Sequence, residues 1–342
     1  MKLLKVTIVL VIAAMGLAAA ALLYLDSPAN PGGETVSLLI NQGENAADIG
    51  QALESRGLIK SRFYFLLVAR AGGWSKNLKS GTFEISPALT TRRILHHLAN
   101  SPGKVREFKV TIPEGFTALQ IAERLESHGV CHASDFMDVV ARPRKSGVDT
   151  GVHDIRNLEG FLFPDTYFLD DNSNCVNTAQ RMMDQFFKMF TPKLENRARK
   201  LGFSLNEAVT LASLIEKEAR ADSERARISG VLHNRLKAGM LLQCDATIQY
   251  VLPERKEKLY YKHLEEDSPY NTYLHKGLPP GPICSPGADS LSAALQPEDT
   301  KFYYYVARPD GTHIFSRNNN EHINAKQRAK NEYRQLKNGS GR

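Results

Sequence analysis

Residues 6 to 25, VTIVLVIAAMGLAAAALLYL, run for 20 positions without a charge, and as a helix they would cover roughly 30 Å, one bilayer core. A chain that begins this way is built to sit in a membrane or to be delivered across one. Lys2 and Lys5 precede the run, which places residues 1–5 in the cytoplasm as a short tip and everything after Asp26 outside. A cleaved signal peptide is the competing reading. Its apolar core, however, is normally only about 7 to 15 residues long, and here four more apolar residues follow the alanine cluster. We expect a transmembrane anchor over 6–25 and a linker rich in Pro and Gly, DSPANPGGE, over 26–34.

Export shapes the reading of charge and cysteine. The net charge of +7 suits anionic partners, but nucleic acid is not expected on the far side of a membrane. Cys131, Cys175, Cys244 and Cys284 become compatible with disulfides, and four cysteines allow three pairings. Pairing Cys131 with Cys175 and Cys244 with Cys284 would keep each bridge within one region, though spacing alone does not choose, and free buried thiols are the alternative. No CxxC occurs and no His/Cys cluster has zinc-ligand spacing, so we expect no metal. There is also no P-loop, no GxGxxG after a strand, no GxSxG and no HExxH, so no cofactor is expected either.

The 342 residues leave room for more than one domain. An internal repeat lies at an offset of 72: INQGENAADIGQALESRG (40–57) and IPEGFTALQIAERLESHG (112–129) agree at eight of eighteen places. Each copy follows a short alternating run and reads as strand, turn and amphipathic helix ending at glycine. We expect an α+β fold, with small α+β modules over 35–150 and a mixed helical and β domain over 151–335. TAQRMMDQFFKMFTPKLENRARKLG reads as one long amphipathic helix, KFYYYVARPDGTHIFS as a hairpin, and 336–342 as a tail. Asp222 or Ser223 is expected to cap a helix that follows a break.

LASLIEKEAR, 211–220, sets two carboxylates on an otherwise apolar stretch. At about 100° per residue, Glu218 lies only about 20° from Leu211, whereas Glu216 falls roughly 140° away. Glu218 is thus mid-stripe, where lost hydration raises a carboxyl pKa toward the range of a general acid. Glu216 takes an ordinary solvent-facing place. A structural Glu218 paired with Arg220 or Arg225 is the competing reading.

Several motifs in one order, EGFLFPDTY, LASLIEKEAR, NRLKAGMLLQCDATIQY, YNTYLHKGLPPGPICSPGADSL and HIFSRNNNEH, resemble the endolytic peptidoglycan transglycosylases of the MltG/YceG type. That resemblance implies a single span, LysM-like modules over 35–150 and a catalytic domain over 151–335 outside the bacterial inner membrane. It implies a lyase that breaks the MurNAc–GlcNAc β-1,4 bond of nascent peptidoglycan, leaves a 1,6-anhydro end and limits strand growth. The catalytic glutamate of the family matches Glu218, and the substrate-binding candidates are Gln243, Asp245, Asn271, Thr272, Tyr273, Asn234 and Arg235. Implied partners are peptidoglycan strands, the membrane, and a glycan polymerase or transpeptidase. Where relatives often carry a small residue this chain has Cys244, and a Cys244–Cys284 bridge would brace a cleft. Two alternatives stay open: a non-catalytic glycan-binding scaffold, and a muramidase-type hydrolase with Asp245 as second carboxylate.

Overall fold

The alternating run at 36–40 and the GTFEI run at 81–85 are strands that pair antiparallel, Val36 opposite Ile85 and Ile40 opposite Gly81. The computed structural model describes residues 2–41, 43–103, 107–152, 155–170 and 173–339. Met1 of the expected tip and 340–342 of the expected tail lie outside them. The chain is mixed α+β and forms two compact units, one of 1–108 with 168–173 and one of 109–167 with 174–342. The boundary expected near 150 falls inside the second unit.

In the first unit α1 (Lys2–Asp26) is followed by β1 (Val36–Ile40), α2 (Ala46–Ser55), α3 (Arg62–Ala71), β2 (Gly81–Ile85) and α4 (Thr91–Asn100). Thr7–Asp26 of α1 is long and apolar enough to cross a membrane by length and composition. The expected linker is held: the Asn30 N–H donates to the Pro87 carbonyl at 3.1 Å. Strand alternation sends Leu38, Ile40, Phe83 and Ile85 to one face, where they pack with Ile49, Leu53, Phe65, Ile94, Leu95 and Leu98. Each such fully buried side chain stabilises by about 1.5–3 kcal/mol.

The second unit holds β3 (Phe108–Thr111) from Lys109 on, α5 (Ala118–Ser127), α6 (Ala133–Ala141), α7 (Pro143–Ser146), the start of β4 (Thr166–Leu169), α8 (Cys175–Met189), α9 (Pro192–Leu201) and α10 (Leu205–Glu218). Then come α11 (Arg225–Lys237), α12 (Asp245–Val251), α13 (Tyr261–Leu264), α14 (Ala288–Leu295), β5 (Tyr304–Ala307), β6 (His313–Ser316) and α15 (Asn319–Gly339). The repeat is real at the level of capping. Asn45 with Asp48 and Thr117 with Gln120 form equivalent capping boxes, and Gly57 (φ 67) and Gly129 (φ 73) stop the two helices in the left-handed region.

Three expectations change. The single long helix over 178–202 is two helices, because Pro192 cannot continue the first but fits the first position of the next. Neither Asp222 nor Ser223 caps α11; they lie in a 3-10 turn ahead of it, and Glu224 occupies the cap position without a side-chain cap bond. α15 continues to Gly339, into the expected tail.

Of the three cysteine pairings, Cys131–Cys175 is formed. Cys244 and Cys284 are free and buried, so the expected brace is absent. Each thiol faces a different carbonyl, Leu242 at 3.7 Å and Ser213 at 3.5 Å.

Candidate active site

α10 opens on a capping box of Ser204 and Glu207 and buries Val209, Leu211, Leu214 and Ile215 completely. That apolar face lies against α14, which contributes Leu291, Ala294 and Leu295. The stripe ends at Glu218, the last residue of the helix, which is half-buried. Its Oε2 accepts from the Tyr305 hydroxyl at 3.1 Å. Burial, and then the neighbouring charge of Asp245, push its pKa up to about 7, against the Tyr305 hydroxyl, the Ala246 N–H and Arg235, which favour the ionised form. A carboxyl group so poised is protonated in a useful fraction near neutral pH and can also accept a proton. Arg225 does not pair with it; that guanidinium binds Asp222 and Ser290.

Glu216 is not the ordinary solvent-facing residue expected. It is half-buried, and its Oε2 accepts from the Gly287 N–H at 3.1 Å. The helix wheel places it correctly, but the Pro/Gly loop before α14 folds over that flank. The same loop is tied down elsewhere: Ile283 N–H donates to Ser213 Oγ at 3.0 Å, and Ser285 exchanges main-chain bonds with Gly115 and Phe116. Lys217 Nζ reaches the Gly115 carbonyl at 2.6 Å. Gly160 seals the arrangement, with φ +83 and a position where a Cβ would lie 2.3 Å from Pro282 Cβ.

The other sequence candidates divide by what their side chains touch. Asp245 is exposed and accepts from the Tyr273 hydroxyl. Gln243 is exposed and has φ 51, the one positive φ outside glycine among the described residues. That strained turn is held by its N–H bond to the Thr272 carbonyl at 3.0 Å. Asn271 and Thr272 are buried and committed to the fold. The Asn271 amide donates to the Leu264 and Glu266 carbonyls at 3.0 and 2.8 Å, and Thr272 Oγ1 accepts from the Cys244 N–H at 2.9 Å. Asn234 donates to the Thr300 and Phe302 carbonyls at 2.8 and 2.9 Å. Arg235 donates to Tyr303 O at 2.6 Å and Leu242 O at 2.8 Å, with its guanidinium 5.1 Å from the Tyr304 ring centre. Asp245 and the half-buried Tyr273 therefore lie within electrostatic reach of Glu218 and Gln243 is exposed, whereas Asn234, Arg235, Asn271 and Thr272 bind main-chain groups of neighbouring segments.

Glu159 escaped sequence reasoning. It is 9% exposed, accepts the Ala118 N–H on both oxygens at 3.0 and 3.1 Å and the Tyr250 hydroxyl at 3.4 Å. Burial dominates and pushes its pKa up to about 7. The available signal was a carboxylate set between Leu158 and Phe161 in a stretch otherwise apolar or glycine. Because the folded pKa exceeds the unfolded value of 4.5, this group favours the fold below about pH 4.5 and loses that contribution as pH rises through about 7. Glu159→Gln retains an oxygen for Ala118 and removes the titration. Unfolding at pH 5 and pH 8 should show the wild type losing about 3 kcal/mol more than the variant across that window; an equal loss in both proteins would refute the assignment.

A separate cavity of about 720 Å³ is lined by Lys193, Asn196, Arg197 and Lys200 of α9 with Gln296 and Pro297. It contains no acid, so Glu218 and its surroundings are the stronger candidate for bond cleavage.

Comparison with known proteins places these residues in context. A family model described as the YceG-like family matches residues 38–328. An endolytic murein transglycosylase of Bacillus subtilis is 31% identical over 306 residues, covering 86% of this chain and 84% of that protein. An endolytic murein transglycosylase of Streptococcus pneumoniae is 28% identical, and there the match covers 85% of this chain but only 59% of the relative. A crystal structure of a YceG-like protein from Listeria monocytogenes superposes with a TM-score of 0.58 at 33% identity, covering 85% of this chain and 99% of the other.

Proposed function

This chain belongs to the YceG-like family, and from that premise we propose that it is an endolytic murein transglycosylase with Glu218 as its acid and base. The observation that carries the reading is a half-buried carboxyl group held by the Tyr305 hydroxyl, with its pKa raised to about 7. Protonated Glu218 donates to the glycosidic oxygen between MurNAc and GlcNAc, and that bond breaks. The resulting carboxylate takes the proton of the muramic C6 hydroxyl as its oxygen bonds to the anomeric carbon of the same sugar. The nucleophile is already part of the substrate, so it benefits from a high effective molarity. One protein acid suffices. The negative charge of Asp245 favours the protonated form of Glu218, a role that needs no contact with the reacting carbon.

α1 is the anchor in this reading, with Lys2 and Lys5 on the cytoplasmic side. The Cys131–Cys175 disulfide supports an oxidising compartment for the second unit. The strand, helix, helix, strand order of β1, α2, α3 and β2 supports a LysM-like glycan-gripping role for the first unit. Enzymes that polymerise or crosslink the same strands are the partners this activity implies.

The test is to incubate the full chain in detergent with uncrosslinked glycan and weigh the fragments. Fragments one water lighter than hydrolysis products are expected. Full-mass fragments would identify a hydrolase with Asp245 as second carboxylate, and intact glycan a scaffold.

A further inference from the structure

The β5–β6 hairpin is fastened at both ends, and what it delivers between them is one hydroxyl. At its start Asn234 holds the Thr300 and Phe302 carbonyls, and Arg235 holds Tyr303 and covers Tyr304. At its far end His313 lies opposite Ala307, with its side chain only 3% exposed. His313 donates through its main-chain N–H to Glu224 Oε1 at 3.2 Å, and its Nδ1 is 2.7 Å from Glu224 Oε2. Strand alternation turns Tyr304 toward His322, where the rings stack at 5.0 Å, and Tyr305 the other way. The Tyr305 ring meets His313 edge-on at 5.5 Å and Phe315, its cross-strand partner, at 6.2 Å. Two aromatic neighbours leave the phenol little freedom, and its oxygen ends 3.1 Å from Glu218 Oε2.

We propose that Tyr305 is a positioning residue for Glu218: its hydroxyl fixes which carboxyl oxygen faces the glycan and stabilises the carboxylate formed after the first proton transfer, while the Glu224–His313 pair locks the phenol in place. This rests on the reaction assigned above and adds a second side chain to it. The group faces a defined set of charged and titratable neighbours: Asp245 from α12, Arg235 from α11, Cys244 and Tyr273 from the loops beside it, and Tyr305 itself. Asp245 opposes ionisation, whereas Arg235 and Tyr305 favour it. The Ala246 N–H favours it as well, but among the side chains it is Tyr305 that makes a hydrogen bond to the carboxylate, while Arg235 has donors engaged with main-chain carbonyls.

Tyr305→Phe keeps the ring packing and removes the donor. In the full chain labelled with carbon-13 at glutamate carboxyls, and with Glu218→Gln to assign the signal, the midpoint of Glu218 should rise by about 1 pH unit. Site-specific 3-fluorotyrosine at 305, a stronger donor, should lower it. In cleavage, kcat should fall by roughly 10-fold to 100-fold with KM changed less than about 2-fold, and the high-pH limb of kcat/KM should move up with the midpoint. A midpoint unmoved in both variants overturns the proposal, even if cleavage falls. A midpoint that moves as expected, in a protein whose fragments lack the anhydro end, supports the positioning role and counts against the lyase chemistry alone.

Discussion

Glu218→Gln should abolish cleavage of nascent glycan, lowering the rate by about 10³-fold or more, because the one group serving as acid and then base is lost. The amide is isosteric and its oxygen can still accept from Tyr305, so the fold should persist. Removing a carboxyl group whose ionised form is disfavoured by burial should leave the thermal midpoint equal or slightly higher at pH 8. The check is paired: fragment masses from uncrosslinked glycan, and unfolding of the same preparation. Anhydro-ended fragments formed at the wild-type rate would remove Glu218 from the mechanism. Loss of cleavage accompanied by unfolding would mean the residue is structural.

Breaking the Cys131–Cys175 bridge should produce the largest change in stability. The bond closes a sequence separation of 44, and the loop-entropy model assigns such a crosslink about 4 kcal/mol. Replacing both cysteines with serine should lower the midpoint of the second unit by roughly 8–16 °C, and added reductant should do the same to the wild type without further effect on the variant. Cys244 and Cys284 are buried and should resist alkylation in the folded protein. A wild-type midpoint indifferent to reductant would show that the bridge contributes nothing.

What could be read in advance follows a physical line. Periodicity and capping are local, so the repeat and the place of Glu218 on the apolar stripe of its helix are legible from spacing alone. Contacts that arrive from far along the chain were not. Gly287 reaches Glu216 across 71 residues and changes an outward carboxylate into a half-buried one, which no helical wheel contains. Asn234, Asn271 and Thr272 are substrate-binding candidates in the sequence, yet their polar atoms bind carbonyls and amides of neighbouring segments. Pro192 begins a new helix, although the amphipathic pattern runs on both sides of it and by itself predicts a single one. Three consecutive tyrosines, 303 to 305, alternate in direction, but nothing local says which of them meets the acid.

The pairing of Glu218 with Tyr305 spans 87 residues, and that separation makes the acid dependent on the tertiary fold. α10 is set locally by its capping box and apolar stripe, whereas the hydroxyl that meets its last residue arrives only when the β5–β6 hairpin packs beside it. The acid is therefore completed by long-range closure of the fold and not by its own helix.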